Sequence, residues 1–289
     1  MFLLLILFNA RRSKVFMNKN IIITGTTSGL GKELVKQFSA LGWHVFAGFR
    51  NKNLIEPADN VEYFYIDMTD RESIQSAAEF IKSKTDKVDV LINAAGCVSA
   101  GPIEVLDIDN LREQFDVNTF SHIDFTQKLL PLLDGGKIIN ISSMSSFGHF
   151  PFISPYCASK RALDIFFNAF GIENHRGIKV ISVKPGVIST PIWEKSVKRN
   201  SELINYCEGY ECEMEFLKNN ALKNTNKGLK VEDAAAFITK IAQKNNPKSS
   251  YTLGRDAKFA QIISYLPQDM INKLVKFGLS ARIKTFNNL

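Results

Sequence analysis

The sequence predicts an α/β fold, a single domain built on a doubly wound parallel sheet with helices on both faces. Short apolar runs alternate with segments of helical periodicity along most of the 289 residues. Several runs are Val/Ile-rich and apolar at most positions, as strands covered on both faces require. The first run leads directly into a glycine-rich turn and a helical pattern, the unit from which such sheets are assembled.

Taken in order, residues 21–24 form the first strand and end at Gly25. Leu34, Val35, Phe38 and Leu41 recur at helical spacing, which predicts a helix over 31–41. Apolar runs at 43–49, 61–66 and 88–92 predict three more strands, with a helix over 73–82 before the last. Further strands are expected at 137–142, 179–184 and 250–253, and helices over 111–133, 154–175 and 231–243. No repeat, low-complexity tract or Pro/Ser-rich linker divides the chain, so one domain is predicted over 17–257. Residues 191–230 break the alternation, mixing Trp193, Tyr206, Tyr210 and Phe216 with charges and Asn. An insertion at that place in a doubly wound sheet shapes the ligand crevice. Residues 258–289 form an extension in which Met270, Ile271, Leu274 and Val275 recur at helical spacing, with Lys273 and Lys276 between them. That is a basic amphipathic helix, suited to a membrane surface, to capping an apolar substrate mouth, or to packing on the body or a partner subunit.

The net charge of +7 is confined to the ends. Arg11, Arg12, Lys14 and Lys19 stand without an acid, and Lys273, Lys276, Arg282 and Lys284 face only Asp269, so the body between is neutral. It has no basic stripe, and nucleic-acid binding is not expected. Cys97, Cys157, Cys207 and Cys212 form no CxxC pair and have no His at zinc-ligand spacing, so no metal site is predicted and free thiols in a reducing, cytoplasmic setting are expected. The apolar run from Phe2 to Phe8 is too short for a membrane span and lacks the flanks of a secretory signal. Residues 1–16 are expected to be an extension ahead of a natural start at Met17, or else a disordered or membrane-touching tail.

Three features carry chemistry. Thr24-Gly25-Thr26-Thr27-Ser28-Gly29-Leu30-Gly31 lies at a strand-to-helix turn, where backbone N–H groups and the helix dipole hold a pyrophosphate. The second strand ends Gly48-Phe49-Arg50; the acid that meets a free ribose 2′-hydroxyl is replaced by Phe49, and Arg50 can pair with a 2′-phosphate, which favours NADP(H) over NAD(H). Tyr156 and Lys160 stand four apart on one face of a predicted helix, and a fixed ammonium beside a phenol favours phenolate and lowers its pKa.

With these motifs in place, the sequence resembles the short-chain dehydrogenase/reductases, in order from Ile21 to about Leu253. The resemblance rests on the glycine-rich turn, Asp67 in Ile66-Asp67-Met68-Thr69, Asn93-Ala94-Ala95-Gly96, Asn118 in Val117-Asn118-Thr119, Ser143, the Tyr156/Lys160 pair, and Pro185-Gly186-Val187-Ile188-Ser189-Thr190. The Gly48-Phe49-Arg50 strand end and residues 185–193 look most like the branch of carbonyl reductases, retinol dehydrogenases and 17β-hydroxysteroid dehydrogenases. The resemblance implies a Rossmann-type fold and these roles. Tyr156 is the general acid/base, Lys160 holds the nicotinamide ribose and depresses the Tyr156 pKa, and Ser143 bonds the substrate oxygen, with Ser142 as the off-by-one alternative. Asn118 anchors a water that continues the proton relay. Gly25, Thr27, Ser28, Gly29, Leu30 and Gly31 form the phosphate turn. Asp67 meets the adenine, Asn93 and Ala94 the adenine ribose, and Ile188 and Thr190 the nicotinamide carboxamide. Met68, Gly96, Pro185 and Gly186 complete the cofactor-binding set.

The activity expected is NADP(H)-dependent interconversion of an apolar alcohol with its ketone or aldehyde. Phe147, Phe150, Phe152 and Trp193 lie on loops beside the crevice, and of the histidines only His149 is placed to face substrate. Two other readings stand beside it. A 3-oxoacyl-carrier reductase would use Lys195, Lys198 and Arg199 as a basic patch, and a non-catalytic NADP(H)-binding regulator would be expected to lose Tyr156 or Lys160. A homo-oligomer is expected, with peripheral membrane contact through the termini.

Overall fold

The computed structural model describes residues 19–200 and 208–287; the expectation for residues 1–16 lies outside them. The strands are β1 (Asn20–Ile23), β2 (His44–Phe49), β3 (Val61–Tyr65), β4 (Val90–Asn93), β5 (Lys137–Ile141), β6 (Lys179–Pro185) and β7 (Ser250–Leu253). They form one sheet in the order β3-β2-β1-β4-β5-β6-β7, and every neighbouring pair is parallel. Chain order reverses between β1 and β4, so a crevice opens there at the carboxyl ends of the strands.

Side chains alternate across the sheet, and each half of the alternation builds its own core. Ile22, Phe46, Leu91 and Ile138 pack against α2 (Arg71–Lys82), α4 (Ser121–Leu129) and α5 (Ser154–Glu173) through Ile74, Phe125 and Leu163. Ile21, Ile23, Val45, Val90 and Ile139 point the other way, against α1 (Gly29–Ala40) and α8 (Val231–Ala242), through Leu34, Phe38 and Ile238. A strand apolar at successive positions is thus buried on both sides, as the Val/Ile-rich runs demand.

Two helices begin earlier than their apolar periodicity indicates, because polar caps set the start. The Asp70 carboxylate accepts the Glu72 N–H at 2.9 Å ahead of α2, and Asp107 accepts the Asp109 N–H at 2.9 Å ahead of α3 (Ile108–Phe115). The helix expected over 111–133 is interrupted: α3 runs into a π-turn at Asp116–Phe120, and α4 follows. The irregular stretch 191–230 contains α6 (Ile192–Arg199) and α7 (Glu211–Lys227). The C-terminal extension holds α10 (Gln268–Asn287), preceded by α9 (Arg255–Ile263), which the apolar pattern does not show.

Candidate active site

The phosphate-binding half begins at β1. Gly25 and Gly29 take φ of +71° and +55°, values a side chain strains to adopt. A Cβ on Gly31 would lie 2.2 Å from the Gly25 carbonyl oxygen, so only glycine lets α1 start this close to the strand. Ser28, the N-cap, makes no capping bond and the first turn carries no acid, which leaves the N–H groups and positive dipole end of α1 open to an anion. Thr26 ties the turn to β2, its N–H and hydroxyl both donating to the Gly48 carbonyl, at 3.1 and 2.9 Å. The Thr24 hydroxyl accepts the N–H groups of Ala94 and Ala95 at 3.0 and 3.1 Å, which docks the loop after β4 beside the turn.

These contacts bring most of the expected cofactor residues to one cleft. Gly25, Thr27, Ser28, Gly29, Leu30, Gly31, Arg50, Met68, Ala94, Gly96, Pro185, Gly186, Ile188 and Thr190 all line it. Two side chains do not reach it. Asp67 turns its carboxylate to Thr69, whose N–H and hydroxyl donate at 2.9 and 2.8 Å, because this acid closes a turn ahead of α2. Asn93 is buried and its side-chain amide donates to the Asn140 side-chain oxygen at 2.8 Å, since the two are register partners on β4 and β5. A further cation lines the cleft beside the glycine turn. Lys195 of α6 donates to the Ser28 hydroxyl at 2.8 Å, and burial, then the nearby Arg50 charge, lower its pKa. Nothing local in the sequence links positions so far apart. The uncapped helix end, the glycine cradle and two cations on its rim fit the phosphates of a dinucleotide.

At the inner end of the cleft α5 places Tyr156 and Lys160 one turn apart, both buried. The Tyr156 phenol shares a hydrogen bond with Ser143, not Ser142; the Ser142 hydroxyl instead points at the Lys160 carbonyl, 3.5 Å away. The Lys160 ammonium donates to the Ile141 carbonyl at 2.9 Å. Burial lowers the Lys160 pKa to about 8, with Cys97 and Asp164 acting the other way. Burial pushes Tyr156 up to about 12, opposed by the Ser143 bond. Lys160 is not among the groups that act on the phenol, so the lowering expected from it is absent and loss of water dominates.

Asn118 sits in the π-turn, a feature often found at functional sites. Its amide donates to the Cys97 carbonyl and the Ser159 hydroxyl, each at 3.0 Å, and accepts the Cys97 N–H at 2.9 Å. The side chain thus staples the loop after β4 to α5. His122 is held neutral by burial and the Lys160 charge, with its pKa lowered to about 3, and it bonds the Ala95 carbonyl oxygen at 3.0 Å.

Past Tyr156 the cleft continues into an apolar chamber, giving one cavity of about 1090 Å³. Phe147, Phe150, Phe152 and Trp193 line it, joined by Met214 and Leu217 of α7 and by Phe259, Ile271 and Leu274 of α9 and α10. His149 lines it too and pairs with Asn272 of α10 at 2.9 Å, tying the loop between β5 and α5 to the C-terminal helix. Arg199 closes one side through a two-pronged bond to Glu113, at 3.0 and 2.6 Å.

Comparison with known proteins agrees with this geometry. The family profile described as short chain dehydrogenase matches residues 19–201. An NADPH-dependent 3-dehydrocapnine reductase from Ornithobacterium rhinotracheale is 31% identical over 273 residues, covering 88% of this chain and 94% of that protein. A 3-ketodihydrosphingosine reductase from Bacteroides thetaiotaomicron is 31% identical over 273 residues, covering 91% and 98%. The crystal structure of a short-chain dehydrogenase from Streptomyces avermitilis superposes with a TM-score of 0.72 at 24% identity, covering 92% of this chain and 98% of that one. A glycine-turn nucleotide cleft that ends at a buried Ser-Tyr-Lys group, and a family match over most of the sheet, make this chain an oxidoreductase of the short-chain dehydrogenase/reductase family.

Proposed function

We propose that the protein is an NADP(H)-dependent oxidoreductase that interconverts an apolar alcohol and its ketone or aldehyde, and works as a reductase. The observation that carries this reading is the position of Tyr156, between a phosphate-binding half and an apolar half of one cavity. The glycine turn, Arg50 and Lys160 would hold a nicotinamide dinucleotide, which would supply or accept the hydride. The chain's own residues handle the oxygen. With a pKa near 12 the Tyr156 phenol keeps its proton at neutral pH and donates it to the oxygen of a carbonyl under reduction. Ser143, already bonded to the phenol, orients that oxygen. Lys160 places a positive charge under the site, which stabilises the tyrosinate left after proton transfer. Asn118 keeps the loop after β4 and α5 in register, and its committed side chain supports a positioning role.

The similarity to reductases of 3-dehydrocapnine and 3-ketodihydrosphingosine favours the reductive direction, and the first of them favours NADPH. The acyl-carrier reading loses support, because Lys195 and Arg199 turn toward Ser28 and Glu113 and do not form an outward patch. The reading includes self-association through α3, the π-turn and α5, where Ile108, Phe120, Ile165 and Phe166 leave apolar surface exposed.

The test is a fluorescence titration of the purified chain with NADPH and NADH, followed by apolar ketones and aldehydes. Tight NADPH binding and oxidation on adding one of them is expected; tight binding without turnover in either direction across a broad panel would favour a regulator. Arg50→Ala should weaken NADPH binding about tenfold or more, the worth of one charge-assisted contact, and leave NADH little changed. An unchanged preference would remove Arg50 as the 2′-phosphate contact.

The pH dependence has a definite sign. Below about pH 8 Lys160 carries its charge and Tyr156 its proton, so the reductase rate is flat. Above that value the cation is lost, and the rate should decline by up to about tenfold per pH unit. A pH profile of kcat that stays flat well into the alkaline range would show that the Lys160 charge is not needed.

A further inference from the structure

The apolar chamber has a rim that the reaction does not use. Helices α9 and α10 form its outer wall, and two side chains there face both ways. Phe259 and Leu274 line the cavity, yet they are 64% and 47% exposed. From Leu274 the apolar surface continues outward. Met270, Leu274 and Phe277 recur at i, i+4 and i+7, hence along one stripe of α10, and Phe277 is 77% exposed. Ile262 and Tyr265, at the end of α9 and just after it, are exposed as well.

Charge accompanies this surface. Lys258 lies on α9, and Lys273 and Lys276 lie on the flank of the α10 stripe. Of the two acids in these helices, Asp256 is engaged by the backbone, accepting the Val187 N–H at 2.8 Å and the Ala257 N–H at 2.9 Å, which leaves Asp269. An apolar stripe with lysines along one edge is the pattern of a helix lying in a membrane interface. No described helix is long and apolar enough to cross a membrane, so the contact is with its surface.

We propose that the α9–α10 face seats on an anionic lipid surface, with Met270, Leu274 and Phe277 among the outer acyl chains and Lys273 and Lys276 at the headgroups. The cavity then opens onto the membrane, and an amphiphilic carbonyl substrate enters from it. This last step rests on the function proposed above; the docking itself does not. A protein partner would have to cover Phe259 and Leu274 and so shut the mouth. A second copy related by a two-fold axis would bring the lysines of both copies together with one acid each to answer them.

The experiment is co-sedimentation of the full chain with phosphatidylcholine vesicles and with mixed phosphatidylcholine/phosphatidylglycerol vesicles. Binding to the mixed vesicles, weakened by salt, is expected. Lys273→Gln with Lys276→Gln should weaken it about thirtyfold, from the typical attraction of one lysine to an anionic surface. Met270→Ser with Phe277→Ser should weaken it at least tenfold. Both pairs change exposed side chains, and an unaltered NADPH titration shows that each variant is folded. Absence of vesicle binding overturns the proposal, as does binding that both variants retain, which would place it elsewhere in the chain. A dimer lost in the Met270/Phe277 variant, with no vesicle binding, assigns the face to a second copy and also overturns it. Vesicle binding requires neither cofactor nor turnover, so its failure and failure of the reductase reading appear in separate measurements.

Discussion

Replacing Tyr156 by Phe is expected to leave NADPH affinity unchanged and to lower kcat for carbonyl reduction by about 10²–10⁴-fold, the usual worth of a positioned acid. The substitution removes one oxygen and keeps the ring, which is buried on α5. Ser143 loses its partner at Tyr156 but keeps the bond it accepts from the Ser145 N–H at 3.1 Å, so the loop after β5 has no reason to move. Lys160 keeps its bond to the Ile141 carbonyl. The loss should therefore fall on kcat with little change in KM, as for a group used only in the transition state. The check is steady-state kinetics beside a binding titration of the same preparation. Turnover equal to the parent chain would dismiss Tyr156 as the proton donor and with it the mechanism proposed above.

The second large effect concerns stability. Lys184→Met is expected to cost about 3–5 kcal/mol, because it strands a carboxylate in the core. Asp164 of α5 is 1% exposed and has Lys184 of β6 at 3.3 Å, a cation that is itself 8% exposed. Neither carboxylate oxygen has a hydrogen-bond partner among the described residues, so this ammonium is its principal compensation. A domain is typically stable by about 5–15 kcal/mol, and the loss should lower the melting temperature by on the order of 10 °C. Changing both partners, Asp164→Leu with Lys184→Met, should recover most of the loss, because no unpaired charge then remains. Urea titrations of the three variants decide this; a single variant as stable as the parent would show that water reaches the carboxylate. Lys184 also lies 5.0 Å from the centre of the Phe147 ring, which lines the cavity, so the pair links core stability to the substrate chamber.

Much of the active site is legible in the chain because its geometry is local. Tyr156 and Lys160 share a face whenever residues 154–173 are helical, and the glycine turn needs only a strand before it and a helix after it. Arg50 reaches the cleft because it directly follows β2, the strand beside β1. Other features depend on segments meeting in space. Asn93 looks like part of the cofactor motif, yet its amide serves Asn140, a neighbour defined only once β4 and β5 pair. Lys195 reads as a surface charge until α6 folds back over Ser28.

The alternating architecture, the phosphate-binding turn, the Tyr156/Lys160 pair and the parallel sheet can all be read from the chain, because periodicity and short spacings specify them without knowledge of distant contacts. The tertiary structure decided that Ser143 meets Tyr156, that burial raises the phenol to about 12 and lowers the ammonium to about 8, and that the C-terminal helices complete the cavity. These are properties of desolvation and long-range packing. A residue's water is removed by groups far from it in sequence, and no local pattern records which groups those are.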